Sequence, residues 1–435
     1  MERLLTNRSL LACNCFLVLF LSYFINPLWL FGANESSTHE PIGDPLDSMD
    51  PLESIGEHPN PIHTEKTRPF SNILESETDF GLGLLRQQNL NKSLVFSPLS
   101  IALALSLVHV AANGETRSQI REALVKGATD EELEKHFANI SAALLGAQKG
   151  KGTQVKIANH VFSRSGFPIK QTYLDTIKKL YNAGATSLNF EDPEASAESI
   201  NAFVRENTGE HIKKIIEPDS IIPDTVAVLT NALYFKADWL HKFDKESTVK
   251  GEFFSSEDSK REIDFLNAGA VHRSYAENDE FQVLSLPYTD QSFALTIFLH
   301  KKRFGLGEAL KDLDSATILH LMGKVSERVV NVRIPKWKIE TELALSEALQ
   351  HIGIKKAFDE SESDLSNMAD GLFVSKVTHK AVIEVDEDGT KAAAVTTIPM
   401  KARSAPPPPK DFIADHPFLF VLSQDSHPLF VGIHH

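Results

Sequence analysis

The stretch on which the fold turns lies near the C-terminus. It reads Leu372-Phe-Val-Ser-Lys-Val-Thr-His-Lys-Ala-Val-Ile-Glu-Val385 and, after Asp386, Glu387-Asp-Gly-Thr-Lys-Ala-Ala-Ala-Val-Thr-Thr-Ile-Pro-Met-Lys-Ala-Arg-Ser-Ala-Pro-Pro-Pro-Pro409. A strand sends alternate side chains to opposite faces. Over 373–385 the odd positions carry Phe373, Ser375, Val377, His379, Ala381, Ile383 and Val385, and the opposite face carries Val374, Lys376, Thr378, Lys380, Val382 and Glu384. The residues beyond Glu387 keep the alternation with different side chains. From Thr390 to Arg403 the even positions are Thr390, Ala392, Ala394, Thr396, Ile398, Met400 and Ala402, all small or apolar. Every charge there, Lys391, Lys401 and Arg403, falls on an odd position. Alanines and the flanking Gly389 make a poor permanent strand. Small side chains also need little room to slip between strands already in place. The segment therefore reads as a latent strand, and a flexible surface loop is the bland alternative.

Upstream, the period begins as helical. Ile73, Glu77, Phe80 and Leu84 fall near one face. Ser97-Pro98 precedes an apolar run over 99–112 that stops at Asn113-Gly114, a helix start with Ser as N-cap and Pro in the first turn. Residues 172–181 and 197–215 also read as helices. Later the period becomes two. Residues 226–235 resemble a strand buried on both faces. Strands are expected at 281–286, 293–299, 329–334, 372–385, 418–422 and 429–433. Helices first and strands later predict an α+β fold with large, mostly antiparallel sheets.

Composition limits the function. The 435 residues carry 44 Lys and Arg against 59 Asp and Glu, a net charge of −15. An acidic chain is a poor binder of nucleic acid backbones. The two cysteines, Cys13 and Cys15, lie in the first apolar stretch, so cysteine-based metal sites, disulfide frameworks and thiol catalysis are not expected. No metal-binding His-Glu-x-x-His, no Gly-x-Ser-x-Gly and no complete phosphate loop occurs, so neither an enzyme nor a cofactor or metal is expected.

Arg3 and Arg8 precede an uncharged run over 10–31, which predicts a secretory signal over 1–33, with a retained membrane anchor as the alternative. Residues 34–70 hold six prolines, eight acids and two bases, and read as a disordered acidic tail. Residues 71–435 read as one large domain. Asn-x-Ser sequons at Asn34, Asn91 and Asn139 suit a secreted glycoprotein.

Several spaced motifs closely resemble the serpin family over about 71–435. They are Phe96-Ser97-Pro98-Leu-Ser100, Asn231-Ala-Leu-Tyr-Phe-Lys-Ala-Asp-Trp239, Ile334-Pro-Lys-Trp-Lys-Ile339, Leu349-Gln-His-Ile-Gly353 with Ala357-Phe358, Asp364-Leu-Ser366, Thr378-His-Lys-Ala-Val382 and Ala414-Asp-His-Pro-Phe418. Glu387-Asp-Gly-Thr-Lys-Ala-Ala-Ala394 resembles the hinge of inhibitory members.

The resemblance implies about nine helices on three β-sheets, with an exposed reactive loop. It implies a suicide-substrate mechanism: a serine protease cuts the loop, and the loop inserts as a new strand of the main sheet. Counted from Glu387 as in inhibitory members, the cut bond is Arg403-Ser404, with Lys401 the rival position. A long cation there fits a trypsin-like pocket. The implied hinge is Glu387, Gly389, Thr390, Ala392, Ala393 and Ala394. Ser97, Ser100, Asn231 and His379 would form the polar cluster where the sheet opens. Trp239, Lys336 and Glu387 would form the group where the loop enters, with an ion pair between Lys336 and Glu387. Lys391 stands where the family usually has Glu, and Pro399 would enter the new strand without an N–H. The partner expected is a trypsin-like serine protease bound covalently to a monomer. Lys149, Lys151 and Lys156 make only a short basic cluster, so no glycosaminoglycan dependence is expected.

Overall fold

Capping residues, turns and β-branched runs set the element boundaries in the computed structural model of the chain, which describes residues 69–147, 153–389 and 408–435. In chain order these residues form α1 (Pro69–Arg86), β1 (Leu94–Phe96), α2 (Pro98–Ala111), α3 (Gly114–Leu124), α4 (Asp130–Ala147), β2 (Thr153–Arg164), α5 (Gln171–Tyr181), β3 (Gly184–Leu188), α6 (Pro193–Thr208) and β4 (Ala227–Ala237). Then follow β5 (Val249–Phe254), β6 (Lys260–Glu277), β7 (Phe281–Pro287), β8 (Phe293–His300), α7 (Leu306–Asp312), α8 (Ser315–Lys324), β9 (Ser326–Pro335), β10 (Trp337–Ala344), α9 (Ser346–His351), β11 (Lys376–Val385), β12 (Lys410–Ile413), β13 (Phe418–Gln424) and β14 (His427–His434). The nine α-helices among the described residues and the mixed sheets match the α+β expectation.

Ser97 caps α2 as its sequence predicts: its Oγ accepts the Ser100 N–H at 3.0 Å, with Pro98 in the first turn. Every residue of α2 is buried. Helix α6 is shorter than expected. It stops at Thr208 because Gly209 takes a left-handed conformation (φ 62°). The apolar period runs on through Ile212, Ile215 and Ile216 after the chain has left the helix. Asn201 holds that segment, its Oδ1 accepting from Ile215 N (2.8 Å) and Ile216 N (3.2 Å).

The five-stranded sheet runs β10-β11-β4-β2-β3. Its inner face, which includes Leu229, Leu233, Val377, Ala381 and Ile383, joins the main core. Its outer face, which includes Ala158, Val228, Tyr234 and Val382, packs with Ile200 and Val204 of α6. Strand β11 starts at Lys376, four residues later than the alternation suggests. The N–H of Val374 is taken by the Ala357 carbonyl (2.8 Å) and that of Ser375 by the Ala227 carbonyl (3.0 Å), so neither enters the ladder.

The remaining nine strands form one hydrogen-bonded assembly, β1-β14-β13-β8-β7-β6-β9-β12, with β5 also on β6. Three sheets were expected, and two of them run together here because β6 is 18 residues long. Its first six residues pair with β5 and its last four with β7, while β9 follows the other edge across an irregularity between Ala268 and Val271.

Candidate functional site

In the five-stranded sheet β4 and β11 are parallel neighbours, paired from Lys376↔Val228 to Val382↔Tyr234. Above that rung they separate. Ile383, Glu384 and Val385 pair only with β10, whose ladder continues to Trp337↔Val385. Phe235, Lys236 and Ala237 pair only with β2, up to Thr153↔Ala237. The seam thus opens into a notch three residues deep, roughly 10 Å at a strand's rise. The chain leaves β11 at the rim of this notch.

Below the notch a polar rung crosses the seam. His379 of β11 lies opposite Asn231 of β4, and Asn231 lies opposite Asn159 of β2. The start of α2 sits beneath them. The Ser97 N–H donates to His379 Nε2 at 3.0 Å. That bond leaves the ring proton on Nδ1, which donates to Asn231 Oδ1. The Asn231 amide donates to Ser100 Oγ (2.6 Å), to the Ser100 carbonyl (2.8 Å) and to Asn159 Oδ1. Ser97, Ser100, Asn231 and His379 are all fully buried. Burial holds His379 neutral, its pKa lowered to about 3. One imidazole tautomer therefore joins both seam strands to the end of a helix. The structure brings all four expected residues together and adds Asn159 of β2, a strand that the sequence reading did not anticipate.

At the rim, residues 386–389 turn across towards the loop after β4. Trp239 Nε1 donates to the Asp386 carbonyl at 2.9 Å, the Trp239 N–H to that of Asp388 at 3.2 Å, and the Phe243 N–H to that of Glu387 at 3.0 Å. Trp239 is buried and stacks on Tyr288 at 4.3 Å. Lys336 Nζ lies 2.7 Å from Glu387 Oε2, and the Thr248 hydroxyl donates to Oε1 at 2.8 Å. Burial raises the Glu387 carboxyl, but hydrogen bonds, Lys336's foremost, outweigh it and hold the pKa below the ordinary carboxylate value. Gly389 has φ +59° and no room for a side chain: a Cβ there would lie 2.8 Å from Trp239 Cγ and 2.9 Å from the Ala237 carbonyl oxygen. The structure thus brings Trp239, Lys336, Glu387 and Gly389 together. Thr248 and Tyr288, absent from the sequence expectation, complete the group.

The other expected positions divide. Asn91 is exposed in the turn before β1, and Asn139 is exposed on α4. Lys156 is half-buried on β2. Residues 1–68 with Asn34, the two lysines Lys149 and Lys151, and Thr390, Ala392, Ala393, Ala394, Pro399, Lys401, Arg403 and Ser404 lie outside the described residues.

Comparison with known proteins places this seam in a family. A family model described as serpin (serine protease inhibitor) matches residues 75–435. Serpin B4 of Homo sapiens is 31% identical over 377 residues, covering 82% of this chain and 96% of that protein. Serpin-ZXA of Oryza sativa subsp. japonica is 35% identical over 357 residues, covering 78% and 89%. Among solved structures, Serpin48, a highly specific serpin in the insect Tenebrio molitor, superposes with a TM-score of 0.73 at 28% identity, covering 86% of this chain and 99% of that one. With its fold, its motifs and nearly all of its described length accounted for in this way, the chain belongs to the serpin family.

Proposed function

We propose that this serpin is a secreted, monomeric inhibitor of trypsin-like serine proteases, cut at Arg403-Ser404 and acting by insertion of residues 390–403 into the β4–β11 seam. The observation that carries the reading is the notch. The chain leaves β11 at its rim, and β10 already occupies the other edge of β11. A segment folding back along β11 therefore meets the seam, where it would run antiparallel to both neighbours.

The chemistry is that of acyl transfer. The protease serine attacks the Arg403 carbonyl, the bond to the Ser404 nitrogen breaks, and that amine leaves with the C-terminal fragment. Arg403 stays joined to the protease as an ester. Freed at that end, fourteen positions at about 3.3 Å each carry the bound protease roughly 45 Å along the sheet. Hydrolysis of the ester fails if the displaced protease loses its catalytic geometry. The small residues at even positions suit a narrow gap. The arginine supports a pocket bearing a carboxylate.

Incubation with trypsin followed by denaturing electrophoresis tests this. The expected result is a heat-stable covalent band and a released peptide beginning at Ser404. Cleaved product without the band would favour a second reading, a non-inhibitory serpin cut as a plain substrate. Pro399 is the residue that supports that reading, since it removes one donor from the new ladder. Secretion and glycosylation belong to the same proposal. They are checked by the amino terminus of the exported protein, expected beyond residue 33, and by glycans on Asn91 and Asn139, both on exposed sites.

A further inference from the structure

Far along the chain from the seam, a buried carboxylate lies between two imidazoles. Glu77 belongs to the apolar face of α1 and is 4% exposed. Its Oε1 is 2.7 Å from Nε2 of His136 on α4, and its Oε2 is 2.5 Å from Nδ1 of His427. Among the described residues its ion-pair partners are these two histidines, with no Lys or Arg beside it. Asp425 and Ser426 make the two-residue turn between β13 and β14, with φ 48° and 74°, and so place His427 at the first position of β14. The two rings are 5.4 Å apart and inclined at 52°. One ligand atom from each residue lies within 4.8 Å of the other two, and no other such trio of His, Cys, Asp or Glu occurs among the described residues.

We propose that Glu77, His136 and His427 form a binding site for a divalent cation of the zinc class, which clips α1, α4 and the β13–β14 hairpin together. Two nitrogens and one oxygen match the donors zinc takes, whereas magnesium and calcium favour oxygen alone. Zinc holds nitrogen at about 2.0–2.1 Å and carboxylate oxygen at about 2.0–2.2 Å, so tetrahedral donors stand roughly 3.4 Å apart. Binding would spread the two hydrogen-bonded contacts, 2.7 and 2.5 Å, to that spacing and draw in the more widely separated donor atoms, which already lie within 4.8 Å. The protons now shared with the carboxylate pass to the other ring nitrogens or to solvent. The His136 and His427 side chains keep 10% and 26% of their surface exposed, which leaves water access to the fourth position. No helix spacing in the sequence reveals the trio, because its members are 59 and 350 residues from Glu77.

A cation bound only when the three elements are in place stabilises the folded chain by mass action. The test uses the full, chelator-treated chain titrated with zinc chloride or magnesium chloride, followed by calorimetry and thermal unfolding. The expected result is one saturable zinc per chain and a higher unfolding midpoint, with no response to magnesium. The single variants His136→Gln and His427→Gln, both at partly open positions, should each weaken zinc binding by about 10-fold or more. Cobalt substituted for zinc should give the visible absorption of a four-coordinate site in the parent and lose it in the double variant. Lack of saturable zinc binding overturns the proposal. So does zinc binding that survives in the folded double variant, which would put the ion on others of the seventeen histidines. The readout is independent of protease inhibition, so either reading can fail alone.

Discussion

Gly389 ends the turn by which the chain, its strand finished at Val385, crosses the rim of the notch. A side chain there faces two obstacles, the left-handed backbone and the wall formed by Trp239 and Ala237. Gly389→Ala should therefore destabilise the intact protein by about 1–3 kcal/mol, read as a lower thermal midpoint. An unchanged midpoint would mean that residues 386–389 rearrange freely and do not form a fixed hinge. Two residues earlier, Glu387 accepts from Lys336 and Thr248 while almost wholly buried. Glu387→Lys removes a charged acceptor and sets a second ammonium against Lys336. Hydrogen bonds to charged groups contribute about 1.5–3 kcal/mol, and the lower end of that range applies because Lys336 is 41% exposed. The expected outcome is reduced monomer yield and a ladder of oligomers on native gels as the notch loosens. A variant that remains monomeric and inhibits at the parent rate would remove Glu387 from this role. At this scale the sequence was informative where an odd residue stood in a regular pattern, as His379 does on an apolar strand face. It was silent on Asn159 and Thr248, polar residues in ordinary positions whose partners come from elsewhere in the chain.

At the scale of elements, the polar rung makes the seam sensitive to acid. His379 accepts a backbone N–H at Nε2, so a second ring proton would set two donors against each other in a fully buried site. Its pKa in the folded chain, about 3, lies below the ordinary 6.5. The unfolded chain therefore binds the extra proton first. Stability is fully present above about pH 6.5 and is lost as pH falls towards 3, by of order 2 kcal/mol at pH 5 from this residue. Buried His434, with a pKa also lowered to about 3, and His160, lowered to about 4, act in the same direction. The unfolding midpoint should fall between pH 7 and pH 5, and it should fall less steeply in His379→Asn. Parallel slopes for the two proteins would clear His379 of the effect. Elements with a single environment were the ones the sequence revealed: β4, buried along nearly its whole length, and the β7–β8 and β13–β14 pairs. Strand β6 gave no clean period because its two ends serve different partners, so its burial alternates irregularly. The apolar period overruns the end of α6 because Ile212, Ile215 and Ile216 stay buried in the cluster beneath the sheet after the helix has stopped. Apolar spacing records burial, and here burial outlasts the helix.

For the whole molecule, the proposed mechanism requires that the parallel pairing of β4 and β11 leave a more stable arrangement unused. A strand inserted antiparallel between them replaces one ladder by two, and antiparallel ladders are slightly the more stable per residue. Each added backbone hydrogen bond contributes about 1 kcal/mol net, while ordering each inserted residue opposes this by about 1–2 kcal/mol. The balance then rests on the apolar burial of the even-numbered side chains and on release of the ends that hold the loop outside. In that mechanism the intact chain is tethered at Gly389 and at Pro408 before β12, so it reaches the inserted state only if one tether gives way. Its lifetime is then set by a barrier, not by the equilibrium. Cutting the Arg403-Ser404 bond removes one of those ties. The nicked molecule, now two chains held together by the fold, should unfold well above the intact protein. A net gain of about 5 kcal/mol would raise the midpoint by roughly 6 °C in a chain this long. Amides of β4 and β11 should exchange with solvent more slowly at the same time. Scanning calorimetry of the intact chain beside the same chain nicked by trace trypsin decides the matter. A nicked form that melts at or below the intact midpoint would show that the seam does not accept residues 390–403, and the insertion mechanism would have to be abandoned even if trypsin were still inhibited.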